Sequence, residues 1–79
     1  MTVRLRFFAT LREQLGASLE RDVPRGTTVE TLWASLVAER PALRRLRVSF
    51  AVGERYVEGS HRVKAGDEVA FFPPVSGGR

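Results

Sequence analysis

Gly77 and Gly78 close the run Pro73-Pro74-Val75-Ser76-Gly77-Gly78-Arg79, and their types and placement suit a chain end used as a chemical group. Glycine carries no Cβ, so the pair passes through a channel too narrow for any side chain and adopts backbone angles closed to other residues. A glycyl acyl carbon also meets a nucleophile with nothing in the way. Upstream, Pro73 and Pro74 donate no amide hydrogen to a sheet and push the residues before them toward extended angles, so they stop a strand and send the chain out stiff and straight. Val75 and Ser76 extend it. Fraying is the ordinary condition of a terminus, but a strand and a diproline ahead of the glycine pair favour a tail that enters another protein.

Elsewhere reactive groups are scarce. The chain has no cysteine, hence no disulfide, no thiolate nucleophile and no cysteine-ligated metal, which agrees with a reducing compartment. His61 is the single histidine and lies in a polar loop with Ser60 and Arg62, where a solvated role is expected. Asp67 and Glu68 are adjacent, so in a strand they point to opposite faces and form no acid and base pair; a turn role accounts for Asp67. No Gly-x-x-x-x-Gly-Lys phosphate loop occurs. These residues describe a protein that is not an enzyme by itself and holds no metal.

The elements that must position the tail follow from periodicity. Val3, Leu5 and Phe7 alternate with Arg4, Arg6 and Phe8, the pattern of a half-buried strand. Thr10 to Leu15 reads as a short helical turn with Gly16 as a left-handed cap. A second strand is expected over Ser18 to Val23, turned by Pro24-Arg25-Gly26. Thr27 and Glu30 make a capping box, with Thr28 as the competing cap, for a main helix whose apolar face is Val29, Leu32, Trp33, Leu36 and Val37. It should stop near Arg40 because Pro41 follows. Trp33 falls within the apolar stripe and is expected in the core. After an arginine-rich linker, Val48, Phe50 and Val52 mark a third strand, Gly53-Glu54 a turn, and Arg55-Tyr56-Val57 a short strand. Ala65-Gly66-Asp67 turns the chain into a final strand over Glu68 to Phe72. The expected fold is α+β, a sheet of four to five strands with one main helix packed across one face, in a single domain over residues 1–72 followed by the extended tail 73–79.

Seventy-nine residues with 43% hydrophobic and 28% charged side chains suffice for one small core. The N-terminus alternates polar and apolar where a signal peptide would have a basic segment and an apolar run, and no stretch is long enough to span a bilayer, so a cytoplasmic protein without membrane partners is expected. The net charge of +4 is carried almost wholly by arginine. Arg40, Arg44, Arg45 and Arg47 read as a solvated face beside a helix end; an acidic protein partner also fits, and a nucleic-acid patch is disfavoured because no stacking motif accompanies it.

Parity marks a partner surface. If Val3, Leu5 and Phe7 face the helix, Phe8 faces away or lies at the strand end, and if Val69 and Phe71 face in, Phe72 faces out; the alternative is that a loop covers both rings. Should the first and last strands be neighbours, Phe8 and Phe72 form one apolar patch at the root of the tail.

Phe7-Phe8-Ala9 with Arg12-Glu13, Thr28-Val29-Glu30 with Leu32, and above all the run from Gly66 to Gly78 resemble the MoaD branch of the MoaD/ThiS sulfur-carrier family, the small subunits of molybdopterin synthase. The resemblance covers nearly the whole chain. It implies a ubiquitin-like β-grasp fold, with the first and last strands side by side. It also implies that an ATP-using, MoeB-like enzyme adenylates the Gly78 carboxylate, that sulfur displaces the adenylate to give a thiocarboxylate, and that the tail then enters a MoaE-like large subunit. There the sulfur passes to a cyclic pterin monophosphate on the way to molybdopterin. By the same resemblance Gly78 and Gly77 are the reactive residues, and Phe8, Phe72, Pro73, Pro74, Val75 and Ser76 contact partners. No cofactor is bound by the chain itself, and ATP is used by the activating partner. Two departures stand out: Gly53 occupies a turn position where the family often has asparagine, and Arg79 follows Gly78, which then has no free carboxylate, so either a protease removes Arg79 before activation or the chain uses a different route. A carrier for tRNA thiolation or thiamin synthesis, a protein modifier, and an arginine-rich RNA-binding module are the alternatives.

Overall fold

The computed structural model describes residues 1–73. The tail residues Pro74, Val75, Ser76, Gly77, Gly78 and Arg79 lie outside the described residues. In chain order the elements are β1 (Thr2–Phe7), α1 (Thr10–Leu15), β2 (Ser18–Asp22), α2 (Val29–Glu39), a 3-10 helix over Pro41–Arg45, β3 (Ser49–Val52), β4 (Arg55–Val57) and β5 (Glu68–Phe72). The strands make one sheet in the order β2-β1-β5-β3-β4. β1 and β5 run parallel at its centre and the remaining pairs are antiparallel. This is the α+β arrangement expected from the alternation of apolar residues, with the first and last strands adjacent.

One face of the sheet packs against α2. Val3, Leu5 and Phe7 of β1 and Val69 and Phe71 of β5 are buried with Val29, Leu32 and Leu36 of the helix. Trp33 is half-buried at the rim of this core, its ring 5.7 Å from that of Phe71. The main-helix cap falls on Thr28, whose Oγ1 accepts from the Thr31 amide at 3.2 Å. Thr27 does not cap: its hydroxyl donates to the Pro24 carbonyl at 2.6 Å, which closes the turn before the helix and removes the Thr27–Glu30 box. Two further amides at the helix start are satisfied from outside, Val29 by the His61 carbonyl and Glu30 by the Gly59 carbonyl, each at 2.9 Å. A Cβ on Gly59 would lie 3.0 Å from Glu30 Cβ, so a larger residue there would force the loop and the helix start apart by a few tenths of an ångström.

Four further local expectations change. Gly16 has a positive φ of 90° but a ψ of 178°, so it ends α1 in an extended mirror conformation instead of the left-handed helical one. β2 and β3 each exclude one flanking valine, Val23 and Val48. The arginine-rich linker is ordered as a 3-10 helix because Pro41 starts it and Leu43, fully buried, holds it to the core. At the far edge, Arg21 of β2 makes two 2.7 Å bonds to the Glu39 carboxylate at the end of α2. That pairing raises the Arg21 pKa and lowers that of Glu39, the hydrogen bond being the main cause in both. Among the described residues no helix is long and apolar enough to cross a membrane.

Candidate partner-docking site

The outer face of the sheet carries the residues that parity singled out. β1 and β5 pair with Phe7 opposite Phe71, both buried, so the next residue on each strand points away from the helix. Phe8 and Phe72 meet there with ring centroids 4.7 Å apart and planes 18° from parallel. They are half-buried rather than fully exposed, because each ring covers one face of the other. Phe8 is aimed by an unusual backbone: the Leu11 amide donates to the Phe8 carbonyl, and Ala9 between them has φ 54° and ψ −129°, the first central position of a type II′ turn that glycine prefers. Pro73, also half-buried, follows Phe72 directly, so the stacked pair sits at the point where the tail departs.

Two side chains that sequence reasoning missed complete the patch. Tyr56 of β4 is 76% exposed and its ring lies 5.8 Å from that of Phe72. Arg6 of β1 holds its guanidinium 5.5 Å from the centroid of Phe8 and pairs with Glu68 of β5 at 3.8 Å. The signal for Tyr56 was present in the turn. Gly53 and Glu54, with φ of 56° and 71°, form a two-residue loop with both central residues at positive φ, the type I′ hairpin, which fixes Val52 opposite Arg55 and Ala51 opposite Tyr56. Ala51 pairs in turn with Ala70, whose strand neighbour Phe71 is buried, so Tyr56 must share the outer face with Phe72.

Toward the start of β1 the outer face becomes polar. Arg4 and Glu20 pair across β1 and β2 at 3.2 Å, beside a shallow cleft lined by Thr2, Ala65, Gly66 and Glu68. Such exposed pairs contribute little stability; their consequence is an alternating charge pattern next to the aromatic patch. Asp67 has the turn role expected of it, accepting from the Lys64 amide through Oδ2 at 2.8 Å. His61 is exposed, and Arg40, Arg44, Arg45 and Arg47 are exposed around the 3-10 helix. The expected partner-binding residues Phe8, Phe72 and Pro73 therefore converge at one place.

A mixed sheet crossed by one main helix, with a paired central β1 and β5 and an aromatic patch at the end of the last strand, defines a ubiquitin-like β-grasp domain. The ThiS family model matches residues 5–78, and the chain belongs to that family. It is 36% identical over 80 residues to the molybdopterin synthase sulfur carrier subunit of Escherichia coli, covering 96% of this chain and 99% of that one. The crystal structure of SAMP1 from Haloferax volcanii superposes with a TM-score of 0.80 at 30% identity, over 99% of this chain and 100% of that one. A ubiquitin of Caldiarchaeum subterraneum, at 17% identity and TM-score 0.65 over 99% of this chain and 98% of that one, shares the fold.

Proposed function

We propose that this chain is the sulfur carrier subunit of a molybdopterin synthase, working through a thiocarboxylate on Gly78. The observation that carries the reading is the Phe8–Phe72 stack at the foot of the tail, in a chain whose relatives bear that name. An apolar, partly exposed patch at the base of a slim Gly-Gly segment suits a partner that grips the domain while its cleft takes in the tail. Pro73, Pro74, Val75 and Ser76 then line the entry of that cleft, and Gly77 and Gly78 reach the reacting centre.

The chemistry begins with water splitting the Gly78–Arg79 peptide bond, which releases the arginine and leaves a glycyl carboxylate. The family match ending at residue 78 supports Gly78 as the working end. In a MoeB-like activating enzyme the carboxylate attacks the α-phosphorus of ATP and pyrophosphate leaves. A sulfide-equivalent sulfur then displaces AMP, forming the C–S bond as the C–O bond breaks. The large, MoaE-like subunit brings that sulfur to a cyclic pterin monophosphate.

The test is pull-down of the large subunit encoded by the same genome, using the chain ended at Gly78 and the chain ended at Ser76. Retention that requires the glycine pair and is lost in Phe72→Ala supports the reading. Retention indifferent to both changes refutes it. A protein modifier is the second reading, favoured by the likeness to SAMP1; it calls for isopeptide-linked adducts of this chain on cellular lysines.

A further inference from the structure

Formal charge is distributed unevenly along the chain. It carries 13 basic and 9 acidic residues. Four arginines, Arg40, Arg44, Arg45 and Arg47, fall in a stretch with no acid, which leaves nine basic residues elsewhere to balance the nine acidic ones. The whole excess of +4 therefore resides in one segment. That segment is folded, since Leu43 is buried and the amides of Leu43 and Leu46 donate to the carbonyls of Arg40 and Leu43 at 2.9 and 3.0 Å. All four guanidiniums are on exposed residues, and none takes part in an ion pair among the described residues. Arg40 contributes to the field at Glu39, whose carboxylate is already held by Arg21.

Position adds a second observation. The segment runs into β3, whose first residue Ser49 pairs with Phe72, so Arg47 lies two residues ahead of β3, on the chain leading to the end of the sheet where β5 closes. The described aromatic rings lie elsewhere: Phe7, Phe50, Phe71 and Trp33 pack in or against the core, and Phe8, Phe72 and Tyr56 gather on the outer face. No aromatic residue interrupts the arginines between positions 40 and 47, whereas single-stranded nucleic acid needs stacking platforms interleaved with charge. Guanidinium forks match carboxylates, and charge flanking an apolar docking patch speeds encounter with a partner of opposite sign.

We propose that Arg44, Arg45 and Arg47 form a steering patch that meets an acidic rim around the tail-accepting cleft of the large synthase subunit. This rests on the carrier reading above, and the experiment separates the two. Stopped-flow association with the large subunit encoded by the same genome would compare the natural chain, the Arg44→Ser/Arg45→Ser/Arg47→Ser variant, the corresponding triple Lys variant and a chain ended at Ser76. The serine variant should associate about ten-fold more slowly at low ionic strength, with dissociation unchanged, and the gap should close at high salt as the charges are screened. The lysine variant should recover most of the rate. Unchanged rates and salt slope in the serine variant, with association still dependent on the tail, overturn the steering patch and leave the carrier reading intact. Association that ignores both the tail and the arginines overturns both. Loss of single-stranded RNA binding in the serine variant without any change toward the large subunit replaces the acidic rim with nucleic acid.

Discussion

Phe8 and Phe72 stack 4.7 Å apart on the outer face of the sheet, directly behind the stack of Phe7 on Phe71 in the core, whose centroids are 5.6 Å apart. The two central strands thus carry one aromatic pair in the core and another on the outer face, where docking is proposed. Phe72→Ala is expected to weaken association with the large subunit by about 2 kcal/mol or more, as truncation of a central interface anchor does. Phe71→Ala is expected to cost about 3–5 kcal/mol of folding stability. Isothermal titration of the first variant and chemical denaturation of both would check the division.

Tyr56 gives a cleaner separation, because its side chain is exposed in the free domain. Tyr56→Ala should leave the unfolding midpoint within about 0.5 kcal/mol of the natural chain. Its affinity for the large subunit should fall by about 1–2 kcal/mol. A loss of stability as large as the loss of affinity would place the ring in the fold instead of the interface.

Leu43 decides whether the arginine segment is a folded surface or a loop. Fully buried in the core cluster, it should cost about 2–5 kcal/mol when cut to alanine. Protection of the Leu43 and Leu46 amides from hydrogen exchange should be lost with it.

Two turns are held by residues that glycine would suit better. Ala9 and Glu54 have φ of 54° and 71°. Ala9→Gly and Glu54→Gly should each raise stability by about 1 kcal/mol, since an L side chain is strained at such angles. Ala9→Gly is the more informative, because that turn aims Phe8; a stabilised domain with weakened docking would show that the strain serves the patch.

The Arg21–Glu39 pair sets part of the acid response. The folded-state pKa of Glu39 is depressed by the Arg21 hydrogen bond, so its contribution is fully present above the ordinary carboxylate pKa. It is lost as pH falls through the lower folded value. Arg21 is shifted upward, so its share would be lost only as pH rises through a range far above neutrality. Denaturation midpoints of Glu39→Gln and the natural chain should converge on acidification and separate as pH rises through the carboxylate range.

Much of this was legible in the residues themselves. Strict alternation in Val3-Arg4-Leu5-Arg6-Phe7 fixed both the strand and its buried face, and the spacing of Val29, Leu32 and Leu36 did the same for α2. The outward pair Phe8 and Phe72 followed from the same parity. What escaped reading depends on contacts distant in sequence or on competing local bonds. Thr27 and Thr28 both have cap chemistry, and the Pro24 carbonyl decided between them. Leu43 lies amid arginines with no periodicity to mark it, and only packing revealed it as core. Tyr56 needed the hairpin register worked through before its face was known.

The most direct measurement is the intact mass of the chain isolated from its native cell and after incubation with its activating enzyme, ATP and a sulfur donor. Loss of Arg79 followed by replacement of one oxygen by one sulfur, mapped by fragmentation to Gly78, is the expected result. A chain that keeps Arg79, or that ends at Gly78 and never gains sulfur under conditions where the activating enzyme turns over ATP, contradicts the thiocarboxylate account.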